Sequence, residues 1–302
     1  MIQVEKVTKR FAEVTALKEL SLTVPQGRVY GLVGSNGAGK STLLRLLAGI
    51  YRQDAGQILL DEQPVSNNPM VKEQICFVAD ELYFLPQSNL LRMAQMYQTV
   101  YRNFSMSKFE GLCRTFELPK NMALSHFSKG MKRQAAIILA LAAQPKYLML
   151  DETFDGVDPV KRAMVKKAIY EDITARGASA IISSHSLREL EDTCDQLAML
   201  HKGGIVLESD IAKLQTALFK VQAAFSVPVC RDDFSDIDMV RFKISGRVVE
   251  MIVRGDRETV EQKLSCKQPL LVDLLPLTLE EVFMYELDAL GYAVQKEEER
   301  DA

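Results

Sequence analysis

Three glycines in the stretch "GSNGAGKST", Gly34, Gly37 and Gly39, run directly into Lys40, Ser41 and Thr42. Lacking Cβ atoms, all three are expected to turn the backbone through positive φ. That brings the peptide groups of Ser35, Asn36 and Ala38 close to one bulky anion. The spacing G-x-x-x-x-G-K-[ST] suits a phosphate chain. Lys40 would reach the β- and γ-phosphates and Ser41 would offer its hydroxyl to Mg²⁺, which prefers oxygen ligands and water. The apolar "VYGLV" ahead of the loop reads as a strand, and "KSTLLRLLAGI" behind it as a helix whose positive end points at the anion.

A second group of chemical residues ends the run "YLMLDE". Four apolar positions followed by Asp151 and Glu152 describe a buried strand delivering two carboxylates at its carboxyl end, where open α/β sheets bind their ligands. Asp151 would hold Mg²⁺, directly or through water, and Glu152 would orient and deprotonate an attacking water. His185 closes another apolar run, "AIISSH". A histidine there either contacts the γ-phosphate or the water, or is a hydrogen-bonded side chain at the edge of the core. In "HFSKGMKRQAAIILALAA", Ser128 and Gly130 begin an amphipathic helix. Their hydroxyl and free N–H groups make either an ordinary helix cap or a second anion site.

In order and spacing, Phe11, "GSNGAGKST", "FSKGM", "YLMLDE", "DGVD" and "SSH" resemble the ATP-binding subunits of ABC transporters over residues 1 to 210. The resemblance implies an α/β P-loop NTPase fold with a parallel-sheet core, an antiparallel β subdomain and a helical insertion at about 81–144. It implies that the ligand is ATP with Mg²⁺, that Phe11 stacks on adenine, and that His185 is the switch histidine. It also implies that Ser128 and Gly130 bind ATP held by the phosphate loop of a facing subunit, with Asp158 at the dimer seam.

Departures from the family pattern narrow the group. Lys129 and Met131 replace the commoner Gly and Gln, a form that resembles exporters of the ABC-2 type. The late stretch "LTLEEVFMYEL" resembles the small C-terminal domain of that group, and "FVADELYFLPQSNL" resembles its YtrB-like branch. The glutamine that usually follows the strand after the phosphate loop is replaced by Asp80, which the register favours over Gln87. Asp80 is expected to serve as an oxygen ligand to Mg²⁺ while adding negative charge near the γ-phosphate.

These residues need a scaffold, and the chain alternates accordingly. "QVEKVTKRF" and "LSLTV" read as strands before the loop, "GQILLD" and "QICFVA" as strands after it, and the stretch from about Leu90 to Ala143 as largely helical. "KYLMLDE", "ASAIISSH" and "QLAMLHKGGIVLE" resume the sheet, separated by the helices "DPVKRAMVKKAIYEDITARG" and "SLRELEDTC", as in a parallel sheet with crossovers. From about Ala217 the texture changes. The strands "FKVQAAF", "MVRFKIS" and "RVVEMIVRG" and the helices "ETVEQKLS" and "TLEEVFMYELDALG" predict a small C-terminal α/β domain over 217–302, with "KEEERDA" as a solvated tail.

The 302 residues carry a formal net charge of −3, so no basic field invites nucleic acid. Cys76, Cys113, Cys194, Cys230 and Cys266 are never arranged as C-x-x-C and are expected to be reduced, mostly buried thiols. With no apolar signal core or membrane span, the chain is expected in the cytoplasm, held at the inner face of the membrane through separate membrane subunits. Its helical insertion from Asp80 to Arg102 would dock on those subunits, and its ATPase partner would be a second copy or another ATP-binding subunit. The alternative is a regulatory ABC-type ATPase with slow hydrolysis. A GTPase is disfavoured because no N-K-x-D set is present, and a DNA- or ribosome-directed ATPase because the chain has neither a second ATPase unit nor a long heptad insertion.

Overall fold

The computed structural model describes residues 1–289, which fall into two units divided between Glu208 and Ser209. The expected tail "KEEERDA" and the last two residues of "TLEEVFMYELDALG" lie outside the described residues.

The first unit opens with a long antiparallel hairpin, β1 (Ile2–Phe11) and β2 (Val14–Val24). β3 (Val29–Val33) enters the phosphate loop, and α1 (Lys40–Leu47) leaves it. β4 (Ala55–Leu60) and β5 (Gln63–Pro64) complete an antiparallel sheet in the order β2-β1-β4-β5. A short α2 (Pro69–Lys72) and β6 (Ile75–Val78) precede three helices, α3 (Leu90–Val100), α4 (Met106–Phe116) and α5 (Lys129–Ala142). The chain then alternates through β7 (Tyr147–Leu150), α6 (Pro159–Arg176), β8 (Ser179–Ser184), α7 (Leu187–Glu191), β9 (Gln196–His201) and β10 (Gly204–Asp210).

Every residue of β3, β7 and β8 is buried, as expected for strands covered on both faces. They sit in the middle of a six-stranded sheet ordered β10-β9-β3-β8-β7-β6. β3 pairs in parallel with both β8 and β9, and β7 pairs in parallel with both β6 and β8. Their carboxyl ends therefore deliver the phosphate loop, Asp151 and His185 to one edge of the sheet. Between the two sheets, Leu43, Leu44, Leu46 and Leu47 of α1 join one core with Ile2, Val4, Leu17, Tyr30, Leu32, Tyr147 and Ile181.

Asn89, Ser105 and Ser128 cap α3, α4 and α5, each accepting a backbone N–H three residues on. From Arg133 to its end α5 is buried, and it packs on α3, α4, α6 and β6. The helix expected over "SLRELEDTC" is shorter, only α7: Asp192 caps it, and Asp195 N already pairs with Val29 O of β3 at 2.8 Å.

The second unit begins with α8 (Ile211–Ala217), ahead of the boundary expected near Ala217, because this helix packs on α10. It continues through β11 (Leu218–Ala224), β12 (Met239–Ser245), β13 (Val248–Arg254), α9 (Arg257–Ser265), β14 (Leu271–Pro276) and α10 (Leu279–Ala289). Its antiparallel sheet runs β12-β13-β11-β14. One face carries Phe219, Val221, Val249 and Met251, which share a core with Phe234, Val260 and Leu264. β14 was not expected from the sequence.

Cys76, Cys113 and Cys194 are buried and Cys230 and Cys266 exposed, all as free thiols. Among the described residues no helix is long and apolar enough to cross a membrane.

Candidate functional site

The phosphate loop lines a cavity of about 550 Å³ with Asn36 to Thr42, Val14 to Ala16, Lys18, Asp80, Glu152, Lys202 and Gly203. Gly37 (φ 81°) and Gly39 (φ 113°) adopt the left-handed turns expected of them, but Gly34 does not. Its requirement is space, since a Cβ there would stand 2.4 Å from the Leu200 carbonyl oxygen. Gly203 lies in the turn between β9 and β10, where it donates to Ala38 O at 3.0 Å and accepts from Lys18 N at 2.9 Å. The turn braces the loop against β2, a role that the sequence did not signal.

Lys40 is 5% exposed and uses its ammonium fully. It donates to Gly34 O at 2.7 Å and Ser35 O at 3.3 Å, and lies 3.2 Å from Glu152 Oε1. Glu152 Oε2 in turn lies 2.9 Å from His185 Nδ1. Glu152 has a left-handed backbone (φ 45°), an uncommon conformation for a non-glycine residue, and its N–H donates to Ser183 Oγ at 3.1 Å. Ser183 donates to Asp151 Oδ1 at 2.6 Å, and Ser41 Oγ donates to the same atom at 3.1 Å. Fully buried Ser183 thus aligns both acidic residues, a function hidden in the plain strand sequence "AIISSH".

Asp151 is fully buried, and its Oδ2 has no hydrogen-bond partner among the described residues. A buried carboxylate oxygen left bare is costly, whereas a hard cation beside it removes the cost. Asp151 and Ser41 supply the oxygen donors Mg²⁺ requires, few in number because that ion keeps water and substrate phosphates as its other ligands. The residues present fit the ion. Asp80, expected as a further ligand, lines the cavity, but its Oδ1 accepts from Arg133 Nη2 at 2.8 Å. The extra negative charge expected of Asp80 is thus paired in place. Gln87 does not line this cavity.

Ser128, Gly130 and Asp158 come together elsewhere, in a cavity of about 520 Å³ lined also by Lys129, Met131, Gln134 and Gly156. Ser128 Oγ caps α5 by accepting from Met131 N at 3.2 Å, and Asp158 Oδ1 caps α6 by accepting from Lys161 N at 3.0 Å. Gly130 packs so closely that a Cβ would lie 2.9 Å from Gly156 O. Lys129 reaches sideways to Asp155 Oδ2 at 2.6 Å, and this hydrogen bond holds the Asp155 carboxyl below its usual range. The two cavities share no lining residue. Phe11 ends β1, 41% exposed, with its ring edge-on to Tyr51 at 5.3 Å and outside the phosphate-loop cavity's lining.

The sequence model of a family described as "ABC transporter" matches residues 17–155. Over 284 residues the chain is 28% identical to the ABC transporter ATP-binding protein YtrB of Bacillus subtilis (strain 168), covering 94% of this chain and 97% of that one. Over 219 residues it is 31% identical to the lipopolysaccharide export system ATP-binding protein LptB of Haemophilus influenzae, covering 68% and 89%. Over 302 aligned positions it is 29% identical to the Nod factor export ATP-binding protein I of Paraburkholderia xenovorans, covering 94% and 95%. A solved structure described as an ATP-binding subunit of an ABC transporter superposes with a TM-score of 0.65 at 25% identity, covering 71% of this chain and 92% of that one. A dimeric ATP-binding cassette in a post-hydrolysis state with ADP and Pi shares the fold at a TM-score of 0.63 and 20% identity, over 70% of this chain and 99% of that one.

Proposed function

The chain belongs to the ATP-binding proteins of ABC transporters, and from that premise we propose that it hydrolyses MgATP in a closed pair of ATP-binding subunits and thereby drives export through separate membrane subunits. The observation that carries this reading is the Glu152 carboxylate, held between Lys40 and His185 at the mouth of the phosphate loop.

Lys40 has two of its donors fixed on loop carbonyls, and the third direction faces Glu152. An incoming γ-phosphate offers Lys40 a more highly charged partner in the same place. Lys40 exchanges the carboxylate for the phosphate, and Glu152 is released to accept a proton from the attacking water at a carboxylate oxygen. His185 stays beside Glu152 and keeps its carboxylate aimed at the γ-phosphate. Ser41 and Asp151 would hold Mg²⁺, which would supply positive charge to offset that of the bound phosphates. Phe11 supplies an exposed ring for adenine.

Ser128, Gly130 and Asp158 complete the site of a facing subunit, since within one chain they line a cavity separate from the phosphate loop. ATP bound across that seam favours the closed pair, and its hydrolysis removes the difference, so the nucleotide shifts the population of two arrangements. The helical insertion, with exposed Tyr83 and Leu85, carries that shift to membrane subunits on the cytoplasmic side. The export direction rests on the relatives named for export and on the ABC-2 pattern of "FSKGM".

The test is the solution mass of the Glu152→Gln protein by light scattering, with and without MgATP. An ATP-dependent doubling that Ser128→Arg abolishes is the expected result. ATP binding with no change in mass in the presence of the native co-purifying chains overturns the paired-site reading.

A further inference from the structure

Arg133 is 1% exposed, a guanidinium placed in the core of the helical segment one turn beyond the Ser128 cap. On an amphipathic helix such a residue normally reaches solvent, and a buried cation without a counter-charge is heavily penalised. Its partners all come from the two residues that follow β6. Nη1 donates to Ala79 O at 3.1 Å and Asp80 O at 2.9 Å, and Nη2 donates to Asp80 Oδ1 at 2.8 Å. The pair is lopsided, with the Arg133 side chain 2% exposed and that of Asp80 48% exposed. One end lies in the core, and the other lines the phosphate-loop cavity beside Lys40 and Glu152.

We propose that Asp80 and Arg133 act as one neutral unit at the phosphate site. Arg133 is a positioning residue that fixes the Asp80 carboxylate at the cavity wall and cancels its charge, so Asp80 presents oxygen to the site without repelling the triphosphate. Mg²⁺ ligation then rests on Ser41 and Asp151, and Asp80 is not a second anionic ligand. The same three hydrogen bonds tie α5, which begins at Ser128, to the wall of the phosphate-loop cavity. The inference rests on the nucleotide-site reading above.

Two features give the unit its logic. A lone carboxylate within a few ångströms of a triphosphate repels it strongly at protein dielectric, by enough to lower affinity about tenfold. A fork-shaped guanidinium that also holds two backbone carbonyls cannot swing away to leave that carboxylate bare.

The experiment is a fluorescent-ATP titration of the full chain, from chelated to saturating Mg²⁺, for wild type, Arg133→Gln, Arg133→Lys, Asp80→Asn/Arg133→Gln and Lys40→Ala. Arg133→Gln is expected to lose about tenfold in affinity without Mg²⁺ and to recover most of it with Mg²⁺, because the freed carboxylate then has a cation to pair with. The double variant, neutral at both positions, is expected to return to within about twofold of wild type under both conditions. A folded Arg133→Gln protein with the wild-type Mg²⁺ dependence overturns the proposal, as does a folded double variant that fails to recover. If Arg133→Gln does not fold, Arg133→Lys and the double variant decide by the same comparison: affinity without Mg²⁺ close to wild type in both supports the unit, and a tenfold loss in both overturns it. Wild type and Lys40→Ala binding ATP alike would instead remove the nucleotide-site reading itself.

Discussion

Glu152 Oε1 lies 3.2 Å from the Lys40 ammonium, so the base for water is restrained by the cation that receives phosphate. The two roles are separable by substitution. Glu152→Gln keeps the shape and removes the proton acceptor, so ATP binding is expected to persist while steady-state phosphate release falls by roughly 10²–10⁴. Lys40→Ala removes the phosphate contact and is expected to weaken binding itself. Equilibrium nucleotide binding and phosphate release, measured on both proteins, check the division. Wild-type turnover in Glu152→Gln would assign the base elsewhere.

Ser183 is the joint between the two acids, donating to Asp151 Oδ1 at 2.6 Å and accepting from Glu152 N at 3.1 Å. Ser183→Ala takes one hydrogen bond from the buried Asp151 carboxylate, which keeps Ser41, and one from the half-buried Glu152 N–H, at an expected cost of about 1–3 kcal/mol in unfolding free energy. The loss of alignment is also expected to raise the Mg²⁺ concentration needed for half-maximal hydrolysis. Urea unfolding and a Mg²⁺ titration measure the two effects. An unchanged Mg²⁺ requirement in a destabilised protein would reduce Ser183 to a packing role.

Gly130 has no room for a methyl group, because a Cβ would lie 2.9 Å from the Gly156 carbonyl oxygen. Neither residue lines the phosphate-loop cavity. Gly130→Ala is therefore expected to shift α5 away from the Gly156 turn and distort the Ser128 cavity, with ATP affinity of the single subunit kept. In the Glu152→Gln background, light scattering is expected to show the ATP-dependent pair lost or weakened. A pair as tight as with Gly130 would mean that the turn gives way without disturbing the seam.

The phosphate loop, Asp151, Glu152 and the alternation that positions them were legible because each is local: a glycine pattern, an apolar run ending in acids, a change of period. What was hidden depends on distant residues. Gly34 needs space because Leu200 O passes beside it, which no spacing within the loop reveals. Arg133 reads as a solvated helix residue until Asp80 meets it from the end of another strand. β14 was missed because "LVDLLP" carries an Asp and ends in Pro, both poor strand formers. The sheet order β12-β13-β11-β14 explains its presence, since an edge strand tolerates a proline that a central one would not.

Burial pushes the Cys76 thiol up to about 11 from an ordinary 9.0, with the Tyr101 hydroxyl pulling weakly the other way. The native state therefore keeps this proton after the unfolded chain has lost it. The stability Cys76 contributes is complete below pH 9.0 and is lost as pH rises from there through about 11. The slope is at most about 1.4 kcal/mol per pH unit for one such thiol. Urea unfolding of wild type and Cys76→Val between about pH 8 and about pH 10.5 reads it, since Cys113 titrates in both proteins and burial, the larger cause, holds the Tyr97 and Tyr101 hydroxyls up in both. Wild type is expected to lose about 1–2 kcal/mol more than the variant across that window. Parallel pH curves would mean that the thiol is solvated enough in the native state to ionise as it does in the unfolded chain.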